Sequence, residues 1–182
     1  SSKLKCEKFI IRKSKQKKCK HIVLRYFNVA GSPASLKTGL ISKKATHLIK
    51  KLCEFILGKE KNFFIYGNNY GTKDGTPIRD FIHVSDLSTL HILSMNYLFK
   101  NNKSQVFNCG YGKEYSVLEI AKAALKNNKN NLKFSFAKRR GGDVGYAVAD
   151  NSKIKKYLVF KPKYNNINLI IKSALNWEKK II

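Results

Sequence analysis

Acidic residues are scarce in this chain: 11 Asp and Glu stand against 37 Lys and Arg in 182 residues, a formal net charge of +26. A charge of that sign ordinarily points to a polyanionic partner, because phosphate neutralisation dominates nucleic-acid affinity. Arginine, the better bidentate phosphate ligand, is scarce as well, with five positions against 32 lysines. The lysines are scattered over the whole length among many asparagines, which is a compositional bias and argues against a specific nucleic-acid interface. Cysteine occurs only at 6, 19, 53 and 109, with no C-x-x-C pair and no histidine at ligand spacing, so neither a disulfide framework nor a metal site is expected. These cysteines read as reduced core residues. No run approaches the roughly 20 apolar residues of a membrane span. The opening SSKLKCE has neither an initiator methionine nor the apolar centre of a signal peptide, so the chain reads as cytoplasmic and as cut from something longer.

What is present is enough for one globular domain: 43% of residues are hydrophobic and 12% aromatic. Four of the five arginines, Arg25, Arg79, Arg139 and Arg140, fall in three compact segments. The most informative is GTPIRDFIHVSDL over 75–87, where turn chemistry runs into strand formers (Ile78, Phe81, Ile82, Val84) and Asp86 is placed to cap a following helix. An arginine at such a strand edge suits an anion held near a helix start. A surface ion pair between Arg79 and Asp80 is the plainer reading.

Along the chain, 3–11 reads as the end of a helix and 12–20 as a basic linker. The run HIVLRYFNVAG over 21–31 reads as a nearly continuous, buried strand of an α/β sheet, with Phe27 and Asn28 at its carboxyl end, where ligands of such sheets bind. Asn28 equally suits a simple turn cap. A long loop is expected over 32–44, then an amphipathic helix over 45–57 closed by Gly58, with His47 near its start as a ligand contact or a solvated helix-start histidine. A short strand over 63–66 ends in Phe64 and Tyr66, aromatics suited to stacking on a flat ring or to core packing, and a turn-rich loop covers 67–77. Further elements are a helix to about 99, a strand over 106–110, a helix opened by a Ser116/Glu119 capping box, a strand over 132–137, a short helix capped by Asp150, and a last helix over 167–180. The turn RRGGD over 139–143 offers guanidinium and backbone groups that can close on a phosphate or a diol.

The ordered series LRYFNVAG (24–31), ATHLI (45–49), IYG (65–67), DGTPIRDFIHVSDL (74–87), VFNCGYG (106–112), RRGGD (139–143) and ALNWE (174–178) resembles the carboxy-terminal half of UDP-glucose 4-epimerases, which are extended short-chain dehydrogenases/reductases. The resemblance covers essentially the whole chain. It implies an α/β fold: the carboxy-terminal part of an NAD(P)-binding Rossmann-type protein, mainly its sugar-nucleotide-binding subdomain. Residues 1–31 would end the Rossmann-type domain, 32–182 would form the UDP-sugar domain, and 78–110 would pack back on the Rossmann-type sheet.

The resemblance also implies a reaction: bound NAD takes hydride from C4 of a UDP-hexose, the keto sugar turns over, and hydride returns to the other face. Lys3 would be the lysine of the family's Tyr-x-x-x-Lys pair, its tyrosine partner falling two residues before Ser1. Phe27 would touch the nicotinamide, and Asn28 the sugar nucleotide. His47 and Leu48 would line the nucleotide, Phe64 and Tyr66 would border the uracil, Arg79 and Arg140 would grip the diphosphate, and Asp143 would hold the ribose. Ala147, four residues after that aspartate, would face the sugar C2 substituent, unless a one-residue shift puts Tyr146 there. The 182 residues contain no glycine-rich strand-to-helix turn for the NAD pyrophosphate, so most of the NAD site is not among them. The implied partners are a UDP-sugar and, for the full-length enzyme, a second copy in a homodimer; no specific nucleic acid, membrane or metal is implied. The alternatives are a non-catalytic sugar-nucleotide-binding remnant, a related nucleotide-sugar epimerase or dehydratase, and a basic nucleic-acid-binding protein.

Overall fold

The computed structural model describes residues 2–42, 45–126 and 133–182. Helix α1 (Ser2–Gln16) leads into β1 (Ile22–Tyr26) and β2 (Asn28–Ala30), followed by α2 (Leu48–Ile56) and β3 (Phe64–Tyr66). Then come β4 (Ile78–Arg79), β5 (Phe81–His83), α3 (Val84–Asn101), β6 (Gln105–Cys109), β7 (Tyr115–Ser116) and α4 (Val117–Leu125). The chain continues through β8 (Ser135–Ala137), β9 (Tyr146–Ala147), α5 (Ser152–Tyr157) and α6 (Ile167–Lys180).

The strands form four small sheets. Parallel pairs join β1 to β6, β2 to β5 and β3 to β8, and a mixed sheet runs β7-β4-β9. The core lies between these ladders and the helices, around Phe81, Ile82, Leu90 and Phe107 from the β5–α3–β6 stretch, Leu52 from α2, Ile120 from α4 and Ile170 from α6, all nearly or fully buried. Helix α2 alternates buried Ile49, Leu52, Cys53 and Phe55 with polar positions at helical spacing, and its inner face meets α6 and α4.

Several expectations are corrected. The basic stretch after Ile11 continues the helix to Gln16, because Lys, Arg and Gln are good helix formers and polarity alone does not break a helix. The run over 21–31 divides at Phe27, since β1 pairs with β6 and β2 with β5. It is half-buried rather than buried, with Tyr26 52% exposed, because β1 has a strand neighbour on one edge only among the described residues. The helix expected from 45 starts at Leu48.

The cap of α3 is His83, whose Nδ1 accepts the Ser85 amide at 3.1 Å. Asp86 sits inside the first turn, buried, and accepts from the Tyr111 hydroxyl and from the amides of Lys163 and Tyr164. The Ser116/Glu119 capping box is present. Asp150 accepts the Ser152 amide at 3.0 Å from just outside α5, although the cap residue is Asn151. The strand expected over 132–137 is Ser135–Ala137, and its first residue lies outside the described residues, as do the last two of the 32–44 loop. The described part of that loop is tied to α6, where Lys180 donates to the Leu36 carbonyl at 2.6 Å and Trp177 to the Leu40 carbonyl at 3.1 Å.

Cys53 and Cys109 are buried as expected, and burial pushes both thiols up to about 12. Cys6 and Cys19 are exposed, since α1 and the turn after it lie at the surface. Among the described residues no helix is long and apolar enough to cross a membrane, and no three His, Cys, Asp or Glu side chains are grouped to hold a metal.

Candidate functional site

Strand β4 is short for local reasons. Pro77 precedes it, and at Asp80 the chain passes from the β4–β9 ladder to the β2–β5 ladder, the Asp80 amide donating to the Ala147 carbonyl and its carbonyl accepting the Asn28 amide. In its sheet Arg79 lies directly between Tyr115 of β7 and Ala147 of β9. Strand pleating puts these three side chains on one face and Ile78, Ser116 and Tyr146 on the other. Tyr146 is exposed there and donates to Glu114 at 2.5 Å.

Arg79 and Asp80 do not pair. Asp80 is fully buried and bonded to main-chain amides. Arg79 is half-buried, donates one hydrogen bond to its neighbour Ile78's carbonyl at 2.8 Å, and forms no ion pair among the described residues. Burial lowers its pKa, the charge of Asp143 opposes that, and Arg140 adds to it. A guanidinium in this state is a cation lacking an anion, the condition that an incoming phosphate relieves.

The second arginine segment closes beside it. Strands β3 and β8 run parallel, with the Gly67 amide on the Ala137 carbonyl at 2.8 Å. Ile65 is buried, which turns Phe64 and Tyr66 together to the open side, 43% and 40% exposed. The Arg140 guanidinium lies 4.8 Å over the Tyr66 ring and donates to Asp143 at 3.0 Å. Arg139 stacks 3.8 Å over Tyr70 and bonds the Asn69 side chain at 2.6 Å. Gly67, at φ +87°, permits this: a Cβ there would sit 2.5 Å from the Tyr70 ring and 2.7 Å from Arg139 Cγ. Arg140 and Asp143 are thus near enough to act on the charge of Arg79, with Tyr66 against Arg140 and Ala147 in register with Arg79.

The remaining candidates are placed less tightly. Phe27 occupies the junction of β1 and β2 with its amide on the Cys109 carbonyl at 3.4 Å, and the Asn28 amide bonds the Asp80 carbonyl at 3.0 Å. His47 is the exposed cap of α2 without a cap hydrogen bond, and Leu48 is the helix's half-buried first residue. Lys3 is exposed in the first turn of α1, one helical turn before Glu7, which holds Arg25 of β1 at 2.5 Å. Among the described residues no hydrogen bond or ion pair joins Lys3 or His47 to Arg79, Arg140 or Asp143. Tyr70 and Asp80 were not legible as site residues. An aromatic inside a glycine-rich loop was the available signal for Tyr70, and nothing local distinguishes Asp80.

A family model for the NAD dependent epimerase/dehydratase family matches residues 1–110. A UDP-glucose 4-epimerase of Azospirillum brasilense is 41% identical over 160 residues, covering 88% of this chain and 46% of that protein. Among solved structures, a UDP-glucose-4-epimerase from Stenotrophomonas maltophila with bound NAD and formylated UDP-arabinopyranose superposes with a TM-score of 0.91 at 28% identity, over 98% of this chain and 53% of that one. The UDP-Glc/GlcNAc 4-epimerase from Campylobacter jejuni is 45% identical with a TM-score of 0.77, over 98% and 54%. The chain spans about half the length of the relatives it matches.

Proposed function

This chain belongs to the NAD dependent epimerase/dehydratase family and has its Rossmann-type α/β fold, and from that premise we propose that it is the UDP-sugar-binding part of a UDP-glucose 4-epimerase. The observation that carries the reading is the half-buried Arg79, which has no ion pair among the described residues and lies beside Asp143 and Arg140, the latter stacked on Tyr66. In this reading Arg79 and Arg140 neutralise the diphosphate, Phe64 and Tyr66 border the base, Asp143 accepts from the ribose, and Asn28, His47 and Leu48 line the rest. Arg140 exchanges its Asp143 contact for a phosphate oxygen on binding. The division at residue 31, with 78–110 packed on the Rossmann-type sheet, and a homodimer of the full-length enzyme belong to the same proposal.

NAD supplies the hydride chemistry of such enzymes. Within this chain only its nicotinamide end has fitting residues, Phe27 at the strand junction and Lys3 on the neighbouring helix. No glycine-rich cradle for its pyrophosphate occurs in the 182 residues. The residues present therefore do not make a complete NAD site, and the chain's own contribution is to bind and orient the sugar nucleotide.

Calorimetry with UDP tests this. A charge-assisted contact contributes about 1.5–3 kcal/mol, so Arg79→Ala is expected to weaken UDP binding about tenfold or more. Absence of UDP binding by the unsubstituted chain, or equal affinity in the variant, would overturn the reading.

A finer reading concerns the sugar. Ala147 shares a face with Arg79 while Tyr146 points away, which favours the small residue as the neighbour of the sugar C2 substituent. Space for an acetamido group is consistent with the Campylobacter jejuni relative, described as a UDP-Glc/GlcNAc 4-epimerase. Comparable affinity for UDP-glucose and UDP-GlcNAc is expected, with Ala147→Tyr weakening the second alone. Rejection of UDP-GlcNAc by the unsubstituted chain would count against it.

A further inference from the structure

Asp80 joins more separate segments than any site residue beside it. Its Oδ1 accepts the Tyr111 amide at 3.1 Å, and its Oδ2 accepts the amides of Gly112 at 2.8 Å and Ala149 at 3.3 Å. Its main chain works in the same place: the Asp80 amide donates to the Ala147 carbonyl at 3.1 Å, and its carbonyl accepts the Asn28 amide at 3.0 Å. The segment after β6 comes this close only because residue 110 is glycine, where a Cβ would lie 2.3 Å from Asp80 Oδ2 and 2.6 Å from Ala149 Cβ.

We propose that Asp80 is a positioning residue for the sugar-nucleotide site: by holding 111–112 and Ala149 to the end of β4, it sets Arg79, Ala147 and Asn28 at fixed distances from one another. This rests on the functional reading above. The chemistry calls for a carboxylate, because amides from two directions converge on two acceptor oxygens. An asparagine of the same shape turns an NH2 group toward one set of amide donors and leaves them unanswered. Ala149 is two residues beyond Ala147, so its release frees β9 from β4 while Arg79 keeps its own side chain intact. Asp80 touches no ligand in this scheme; it acts through the β4–β9 ladder.

The test compares Asp80→Asn with Ile170→Ala, a buried α6 truncation with no hydrogen bond to the site. Three quantities are measured on the 182-residue chain: melting temperature, UDP affinity well below melting, and hydrogen exchange of the Ile78 and residue-80 amides, which bond the Gly145 and Ala147 carbonyls. Positioning predicts a loss of UDP affinity of about tenfold and faster exchange at those two amides in Asp80→Asn. For Ile170→Ala it predicts a lower melting temperature with affinity within about twofold and protected ladder amides. Unchanged ladder exchange in Asp80→Asn, or a loss of affinity shared equally by Ile170→Ala, overturns the proposal. Failure of the unsubstituted chain to bind UDP sinks the functional reading instead, and the exchange comparison still decides whether Asp80 holds β9.

Discussion

Two buried carboxylate networks satisfy their charges in different ways. Beneath the site, Asp80 and Asp86 are answered chiefly by main-chain amides and by the Tyr111 hydroxyl, which donates to Asp86 at 2.5 Å and accepts the His83 amide at 3.2 Å. Between α2 and α6, Glu54 and Glu178 are answered by lysines: Lys50 reaches Glu178 at 2.6 Å and Glu54 at 3.2 Å, and Lys51 reaches Glu54 at 2.8 Å. Burial raises the Glu54 pKa, but the bonds from Lys51 and Lys50 outweigh it and hold the group below its usual range. For Asp80 burial wins over the amide bonds, and its pKa stays raised. An amide is part of the chain it positions, whereas a lysine head on a flexible stem balances charge and fixes little. The amide-answered network is therefore the one suited to specify geometry, and its Asp80 adjoins Arg79, Ala147 and Asn28 of the proposed site.

The difference is sharpest in a matched truncation. Asp86 and Glu178 are each 2% exposed. Asp86→Ala strands the Tyr111 hydroxyl and the amides of Lys163 and Tyr164, none of which can swing to another partner, and is expected to cost about 3–5 kcal/mol in denaturant unfolding. A cost below about 1 kcal/mol would remove the distinction between the two networks.

The lysine cluster is expected to behave as a removable unit. Glu178→Leu alone leaves Lys50 with Glu54 as its remaining acid, at a cost of about 2–3 kcal/mol. Adding Lys50→Met returns much of that loss, because a buried charge pair replaced by apolar side chains of similar volume is close to neutral. Double-variant unfolding as costly as the sum of the singles would mean that these lysines position the helices after all.

How much of this was legible in the sequence follows the same division. The α2 face, the Ser116/Glu119 box and the bounds of α6 were readable because helical periodicity and capping act over a few residues. Arg79, Arg140 and Asp143 were readable as a group only through ordered motifs. Their proximity arises from β4 pairing with β9, 68 residues apart in Arg79 and Ala147, and from β3 pairing with β8. Asp80 looked like half of an ion pair because its partners at 111, 112 and 149 are amides, which carry no side-chain signature. The cap of α3 was assigned to Asp86 by residue preference, while the fold recruits that carboxylate for 163 and 164 and leaves the cap to His83. The expected break after Ile11 failed for a simpler reason, the high helix propensity of its lysines and glutamine.

His83 gives the finest test of the contrast, because the pH limit it sets on the amide-answered network begins at 6.5, above the 4.5 from which the lysine cluster weakens. Its ring stacks on Tyr164 at 4.2 Å, its Nδ1 accepts the Ser85 amide, and its Nε2 faces the Ser173 hydroxyl at 3.2 Å. A second proton would have to enter at Nδ1, breaking the α3 cap. Burial accordingly lowers its pKa, with nearby Asp86 opposing. Below the ordinary histidine value of 6.5 and above the lowered folded one, the unfolded chain binds a proton that the folded chain refuses, so stability is full above that window and is lost as pH falls through it. Asp80, with its raised pKa, pulls the other way from 3.8 upward, so the two must be separated by substitution. Asparagine can still accept the Ser85 amide as a helix cap but does not titrate. Melting curves at pH 7.5 and 5.5 are therefore expected to show a fall in Tm for the unsubstituted chain and a smaller fall for His83→Asn. An identical fall in both would place the acid sensitivity outside His83 and leave the amide network without a titrating member at this end of α3.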